Sequence, residues 1–186
     1  MKIRVKKSIS DMSKKISYPL ELKEVRDGET GEFCGYASVF NVEDSYGDVV
    51  VKGAFDESIK ESRKRPLLWQ HEQNTPIGVI TAIQEDNYGL FIRGRFLLDV
   101  KKAREAYALV KNGSISGLSI GYIPRRFSRI DGGRKLLSVN LLEISLVTFA
   151  SNKLAKITEI KNANEIYRIN EMINVLTKNV RRLIKN

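Results

Sequence analysis

Two residues capable of nucleophilic acyl transfer stand out in the sequence, a serine framed by glycines and a single histidine. Ser119 lies in the segment 117–122 (GLSIGY), which has glycines on both sides of the hydroxyl. His71 is the one histidine among the 186 residues. A serine hydroxyl needs a general base before it can attack a carbonyl carbon. If that base is an imidazole, it is His71, and the pair makes serine-dependent acyl transfer a hypothesis worth testing.

The segment around Ser119 predicts a strand with an unusually bare face. Side chains alternate between the two faces of a strand, so Ser119 shares its face with Gly117 and Gly121. An extended peptide could approach such a face closely because no β-carbon stands in the way. The alternative is a small-residue face that packs beneath a helix.

The histidine lies at the end of a short predicted strand, 67–71, in which Leu67, Trp69 and His71 share a face. A lone histidine beside a tryptophan is often a core or surface residue with its hydrogen bonds satisfied. The catalytic interpretation of His71 therefore depends on Ser119 and on a third residue.

That third residue should orient the imidazole and stabilise its cation. Glu143 is the one charge in the apolar run 141–149 (LLEISLVTF). An unpaired carboxylate is costly to bury in a central strand, so Glu143 needs a partner, and His71 is the obvious candidate. The alternatives are that Glu143 lies on a solvated sheet face or pairs with a lysine or arginine.

The other candidates for chemistry have simpler explanations. Asp44 and Asp48 flank 45–47 (SYG) and could bind a cation, but a turn accounts for them better. Arg125 and Arg126 could steady an oxyanion or an acidic substrate, although solvated arginines at a strand end are the simpler interpretation. Four further serines lack the glycine frame: Ser114, Ser116, Ser138 and Ser145.

Composition narrows the class of protein. The 42% hydrophobic and 29% charged shares are those of a globular chain, and no apolar run approaches the roughly 18 residues of a membrane helix. The basic N-terminus lacks the apolar stretch of a secretory signal. Cys34 is the single cysteine, so an internal disulfide is excluded and a reducing compartment fits. One histidine and one cysteine also argue against a zinc site of the common kind, and we expect no metal or cofactor.

The net charge of +10 is concentrated at the two ends of the chain. Residues 1–17 hold six Lys or Arg against one acid, and 153–186 hold eight against three, whereas 18–152 hold 18 of each. Basic ends on a neutral body suggest contact with an acidic partner, either nucleic acid or an acidic protein segment. The alternative is that they serve solubility alone. The neutral body lacks an aromatic-rich basic stripe, which makes a nucleic-acid-binding module the less favoured class.

Hydrophobic periodicity predicts mostly strands. A helix is expected from 53 to about 64, ended by Pro66, and another over 101–111, with Asp99 as its N-cap and Gly113 beyond its end. Turns are expected at 27–31, 75–78, 86–89 and 131–133. Strands are expected over 18–26, 33–40, 48–52, 67–71, 79–85, 90–97, 116–122 and 136–149. Together these elements favour an α+β, mostly β fold: a mixed, mainly antiparallel barrel or sheet with flanking helices.

The C-terminal segment follows a different pattern. Apolar residues recur at heptad a and d spacing, which predicts an amphipathic helix over about 164–185. That helix either docks on its own domain or pairs with another chain. We therefore divide the chain into a basic segment 1–17, a domain 18–158 and a helical tail 159–186. The seam consists of Ile166, Ile169, Ile173, Leu176, Val180 and Leu183.

The sequence resembles the tailed-phage prohead proteases, the capsid maturation serine proteases related to herpesvirus assemblins. The resemblance extends from about residue 33 to 157 and rests on an ordered set of short motifs. These are GYASVF (35–40), DSYGDVV (44–50), GAF (53–55), LLWQH (67–71) with PIG (76–78), GL (89–90), SGLSIGY (116–122) and LEISLVTF (142–149). One departure is the sequence ASN at 150–152, where the family usually has Pro-Ala-Asn.

This resemblance implies an assemblin-like β barrel and a serine endopeptidase that acts inside the immature capsid, in the host cytoplasm. It matches His71 to the general base, Ser119 to the nucleophile and Glu143 to the third member. The implied substrates are the major capsid protein with its scaffolding segment, and the protease itself. Self-association through the C-terminal helix is a further expectation, whereas a membrane partner is not expected. The competing class is a catalytically inactive capsid-assembly scaffold on the same fold.

Overall fold

The computed structural model describes residues 29–162, which contain eight strands and two helices. The predicted strand 18–26, the basic segment 1–17 and the helix over about 164–185 therefore lie outside the described residues. Residues 159–162, predicted to begin the helical tail, belong instead to a strand, Lys156–Asn162, so the division of the chain at residue 158 is wrong. No helix within residues 29–162 is long and apolar enough to cross a membrane. In chain order the elements are β1 (Glu29–Val39), β2 (Asp48–Val50), α1 (Asp56–Glu61), β3 (Arg65–Trp69), β4 (Glu72–Glu85), β5 (Gly89–Phe96), α2 (Lys101–Lys111), β6 (Gly117–Ile130), β7 (Gly133–Val147) and β8 (Lys156–Asn162).

Seven of the strands close into a barrel. Their spatial order is β7, β3, β4, β5, β1, β8 and β6, and β6 pairs again with β7 to complete the ring. The short strand β2 lies outside the ring, beside the beginning of β7. The pairings of β7 with β2 and with β3 are parallel, and the other pairings among these strands are antiparallel. The predicted mainly antiparallel barrel with flanking helices is confirmed.

The barrel encloses an apolar core. Along β5 buried and more exposed residues alternate, as expected for a strand with one face turned inward. The helix α2 buries Ala103, Ala106, Tyr107 and Val110, whose spacing places them on one helical face. The ring of Tyr107 packs 5.6 Å from that of Phe96 on β5, measured between centroids. The core therefore continues from the barrel to this helix.

Several local predictions are confirmed. The helix α2 has the predicted bounds, and Gly113 beyond its end has a left-handed φ of 72°. The hairpins β4–β5 and β6–β7 form at the predicted turns. The N-cap prediction is wrong, because Val100 occupies that position and no side chain caps the helix.

Two predicted turns are wrong because prolines and glycines lie within strands. The segment 75–78 is part of β4, where Pro76 falls at a register shift in the pairing with β3. A proline is tolerated at such an irregularity, since the ladder is already interrupted there. The predicted turn at 27–31 is also partly strand, because β1 begins at Glu29. Pro66 ends no helix directly; it lies in β3, one residue before the pairing with β7 begins at Leu67.

Candidate active site

His71 lies in the tight connection between β3 and β4. The sequence predicted that the strand continues to His71, but β3 ends at Trp69, so the inference that His71 shares a strand face with Trp69 is wrong. Gln70 and His71 both adopt left-handed backbone conformations, with φ of 50° and 62°. This conformation is costly for a residue with a β-carbon and persists only when the surroundings enforce it.

Hydrogen bonds to β7 and to the residue that follows it hold this connection in place. The backbone N–H of Gln70 donates to the carbonyl of Leu146 at 3.0 Å, which extends the β3–β7 ladder by one bond. The Gln70 amide also donates to the Thr148 hydroxyl at 2.8 Å and accepts from the Thr148 N–H at 3.3 Å. The direction in which the His71 side chain leaves the backbone is therefore set by contacts with its neighbouring strand.

The imidazole of His71 is paired with Glu143 of β7. Nδ1 lies 2.7 Å from Glu143 Oε1, and the two side chains are 45% and 12% exposed. An ionised carboxylate only accepts hydrogen bonds, so Nδ1 carries the proton and Nε2 of a neutral ring is left with its lone pair. The hydrogen bond to Glu143 raises the pKa of His71 above its ordinary value, against the opposing effect of burial.

Ser119 and His71 line the same pocket, which has a volume of about 380 Å³. Ser119 lies on β6 with 8% of its surface exposed, directly opposite Ser145 in the pairing with β7. Glu143 lies two positions further along the pairing, opposite Gly121. The structure thus brings together the three residues that the sequence singled out. Ser119 and His71 share a pocket, and the carboxylate of Glu143 bonds Nδ1 of His71.

The glycines beside Ser119 make room for β7. A β-carbon on Gly121 would collide with the Glu143 side chain, lying 2.9 Å from both its Cγ and its Cδ. A β-carbon on Gly117 would lie 2.7 Å from the carbonyl oxygen of Val147. Groups of the protein itself therefore fill the space that a β-carbon would need at either glycine, although the Gly121 backbone still lines the pocket.

The wall of the pocket away from the histidine contains a charged cluster that sequence reasoning missed. Asp48 is 1% exposed and accepts hydrogen bonds from Nε and Nη2 of Arg134. It also accepts from the Tyr122 hydroxyl at 2.7 Å. The hydrogen bonds from Arg134 lower the pKa of Asp48, although burial of the carboxylate opposes this. The pKa of Tyr122 is raised, first by burial and second by its hydrogen bond to Asp48.

The neighbouring acidic residue has a structural role. One oxygen of Asp44 accepts from the backbone N–H groups of Tyr46 and Asp48, at 2.8 and 2.9 Å, which confirms the turn interpretation for Asp44. For Asp48 that interpretation is wrong, because its carboxylate pairs with Arg134. Arg125 pairs with Glu57 and Glu61 of α1 and does not line the pocket. Within residues 29–162 no three His, Cys, Asp or Glu side chains are grouped so that they could hold a metal ion.

Comparisons with known proteins identify the family of the chain. The family model described as caudovirus prohead serine protease matches residues 18–169. The prohead protease of Enterobacteria phage HK97 is 33% identical over 165 residues, which cover 86% of this chain and 73% of that protein. The capsid polyprotein of Pseudomonas phage PAJU2 is 32% identical over 111 residues, covering 55% of this chain and 17% of the polyprotein.

Two solved structures are similar to this chain to different extents. The bacteriophage T4 capsid assembly protease superposes with a TM-score of 0.50 at 12% identity, over 62% of this chain and 81% of that one. The KSHV protease in complex with a hexapeptide phosphonate inhibitor gives a TM-score of 0.46 at 16% identity, over 68% and 63%. On the evidence of the family model and the HK97 relative, the chain belongs to the caudovirus prohead serine protease family and is a peptidase of capsid maturation.

Proposed function

We propose that the chain is a serine endopeptidase with Ser119 as nucleophile, His71 as general base and Glu143 as the residue that orients His71. The observation that carries the proposal is the placement of His71. Its Nδ1 is fixed by Glu143 at 2.7 Å while the residue lines the pocket that also contains Ser119. A neutral imidazole held in this way has its second nitrogen free to accept a proton.

In the first half of the reaction, Ser119 Oγ attacks the carbonyl carbon of the scissile peptide bond. The hydroxyl proton passes to Nε2 of His71, and the carbonyl oxygen becomes negatively charged. The imidazolium then donates the proton to the amide nitrogen, the C–N bond breaks, and an ester to Ser119 remains. A positioned proton-transfer partner contributes roughly 10²–10⁴-fold to the rate of such a step.

In the second half a water molecule replaces the serine. His71 takes a proton from the water molecule as the water oxygen attacks the carbonyl carbon of the ester. The imidazolium returns the proton to Ser119 Oγ when the ester bond breaks. Glu143 stabilises the imidazolium in both halves, consistent with the raised pKa of His71. Its carboxylate remains ionised throughout, since its role is electrostatic and orienting.

The substrates we propose are the capsid protein with its scaffolding segment, and the protease itself, within the prohead in the host cytoplasm. The family and the HK97 relative support a capsid-related substrate. The PAJU2 relative is named a capsid polyprotein, so a sequence similar to this one occurs within a capsid polypeptide there. The basic segment 1–17 and the C-terminal seam, both outside the described residues, are the segments we propose for contact with an acidic helical partner or a second copy.

The test is cleavage of the phage's own capsid protein by the wild-type chain and by Ser119→Ala. We expect the substitution to abolish cleavage and leave the fold intact, because it removes one oxygen from a site that faces a pocket. Ser116→Ala is the matched control and should retain activity, since Ser116 is exposed and does not line that pocket. Undiminished cleavage by Ser119→Ala excludes Ser119 as the nucleophile. A wild-type chain that is incorporated into proheads but cleaves nothing supports the inactive scaffold instead.

A further inference from the structure

Ser145 is a buried hydroxyl at the centre of the site. It lies on β7, two residues after Glu143 and directly opposite Ser119 of β6. Its flanking residues, Ile144 and Leu146, belong to the apolar core, and all three are fully buried. A hydroxyl in such surroundings costs free energy unless its hydrogen bonds are satisfied, so its partners show what it is for.

Ser145 bonds both residues that are proposed to assist the nucleophile. Its hydroxyl donates to Glu143 Oε2 at 2.7 Å. Its oxygen accepts the backbone N–H of His71 at 3.1 Å. One hydroxyl supplies one donor and two acceptor positions, so both bonds form at the same time. Glu143 is thereby held at both oxygens, by Ser145 at Oε2 and by His71 at Oε1.

The bond from the His71 N–H to Ser145 satisfies a donor that the β3–β7 pairing leaves unpaired. The regular pairing of β3 with β7 stops at Trp69, and the N–H of Gln70 makes the last ladder bond, to Leu146. At His71 the left-handed conformation turns the chain away from β7. The His71 N–H therefore has no carbonyl partner on that strand. The side chain of Ser145 takes the place of that carbonyl.

We propose that Ser145 is a positioning residue for the serine peptidase chemistry, an inference that rests on the proposed function. It acts on both sides of the His71–Glu143 pair. By holding Oε2 it presents Oε1 to the imidazole, and by holding the His71 N–H it fixes the point from which the ring extends into the pocket. Ser145 is not among the residues that line the pocket, so we expect it to act through His71 and Glu143.

The direct test uses the single histidine of the chain, whose ring resonances can be followed by NMR without overlap from another histidine. The titration of His71 is measured in the Ser119→Ala background, so that the protein is not cleaved. Ser145→Ala should lower the pKa of His71 towards that of an ordinary imidazole, because Glu143 is no longer held against the ring. Ser145→Thr, which keeps the hydroxyl, should restore the raised pKa.

Ser138→Ala is the matched control. Ser138 is also a buried serine of β7, but its hydroxyl bonds Glu57 of α1 at 3.2 Å and it does not line the pocket. It should leave the His71 titration unchanged. If Ser145→Ala does not fold, Ser145→Cys keeps the volume with a much weaker hydrogen-bonding group and serves in the same comparison.

The second measurement is peptide cleavage in the Ser119-containing protein. Ser145→Ala should reduce kcat by about 10²-fold with little change in KM, the size of loss expected when a reacting group is displaced by about 1 Å. An unchanged His71 titration together with an unchanged kcat overturns the positioning role. This outcome is distinct from failure of the proposed function, which would appear as cleavage by Ser119→Ala.

Discussion

The carboxylate of Glu143 occupies space that is open only because residue 121 is glycine. The two residues are directly opposite each other in the β6–β7 pairing, and the Glu143 side chain folds across the Gly121 backbone. From there it reaches Nδ1 of His71 in the β3–β4 connection. The glycine therefore leaves the space through which a carboxylate on β7 reaches an imidazole in the β3–β4 connection.

Gly121→Ala is expected to displace Glu143. The new β-carbon would lie 2.9 Å from the Cγ and Cδ of Glu143, too close for an ordinary contact, and the carboxylate would have to leave His71. We expect peptide cleavage to fall by about 10²-fold or more and the His71 pKa to fall towards its ordinary value. Enzyme assay and NMR titration check the two effects.

Gly117→Ala is the control for this substitution. It also introduces a methyl group into β6, but against the Val147 carbonyl and not against a carboxylate. It should destabilise the fold while leaving the His71 titration in place. If Gly121→Ala keeps the raised His71 pKa, the steric link between Gly121 and Glu143 is refuted.

The second prediction concerns the pH dependence of cleavage. The base form of His71 is needed for attack, so kcat/KM should rise with pH through the pKa of the free enzyme's imidazole. Because the hydrogen bond that His71 donates to Glu143 raises that pKa, the midpoint should lie above the ordinary value of about 6.5. Glu143→Gln should lower the midpoint and reduce kcat by orders of magnitude. If Glu143→Gln leaves the midpoint unchanged, Glu143 does not influence proton transfer to His71.

The same pairing makes a prediction for stability. A folded-state pKa raised above the unfolded value means that the folded state binds the proton more tightly. The resulting stabilisation is complete below the unfolded pKa and is lost as the pH rises through the folded pKa. The free energy of unfolding lost in Glu143→Gln should therefore be larger at pH 6 than at pH 9, as measured by urea denaturation. An equal loss at both pH values would contradict a protonation-linked contribution.

Sequence patterns predicted most of the regular elements, but they missed the barrel strand β8. The bounds of α2 followed from its apolar periodicity, and the hairpin β4–β5 followed from two alternating runs around a turn sequence. The choice of Ser119, His71 and Glu143 followed from their residue types and from a resemblance. The structure brings the three together, and their catalytic roles remain predictions.

The backbone that positions these residues could not be predicted. Gln70 and His71 have left-handed backbone conformations although neither is glycine, and their residue types do not predict this conformation. Pairings between distant parts of the chain were equally hidden. Asp48 and Arg134, for example, are 86 residues apart and meet only because β2 lies beside the beginning of β7.

A buried arginine provides a prediction about folding stability. Arg65 is 8% exposed, and its Nε donates to the Leu141 carbonyl of β7 at 2.7 Å. Its Nη2 donates to the Ser58 carbonyl and hydroxyl on α1, at 3.1 and 3.0 Å. The guanidinium therefore joins α1, β3 and β7 through one planar group.

Arg65→Lys keeps the charge but loses the planar fork, and leaves buried carbonyl groups without donors. We expect a loss of roughly 2–4 kcal/mol in the free energy of unfolding, measured by urea denaturation. Arg63→Lys is the control on an exposed neighbour and should change stability little. A loss below about 1 kcal/mol for Arg65→Lys would mean that water replaces the missing donors.

The last prediction concerns the two partners in the pocket wall, Asp48 and Arg134. Asp48 is 1% exposed, whereas Arg134 is 40% exposed and can be hydrated when it is alone. Arg134→Met leaves a buried carboxylate whose remaining side-chain partner is the Tyr122 hydroxyl, and should cost roughly 1–3 kcal/mol of folding stability. Asp48→Asn keeps an acceptor for Tyr122 and should cost less.

The pH dependence of these variants provides a separate check. The folded-state pKa of Asp48 is lowered, so its stabilisation is present above the unfolded pKa and is lost as the pH falls through the folded value. The difference between wild type and Arg134→Met should therefore narrow in acid. The double variant should be less destabilised than the sum of the two single variants, because the two groups interact directly. Additive losses, or a greater cost for Asp48→Asn than for Arg134→Met, would show that the ion pair does not hold this wall of the pocket.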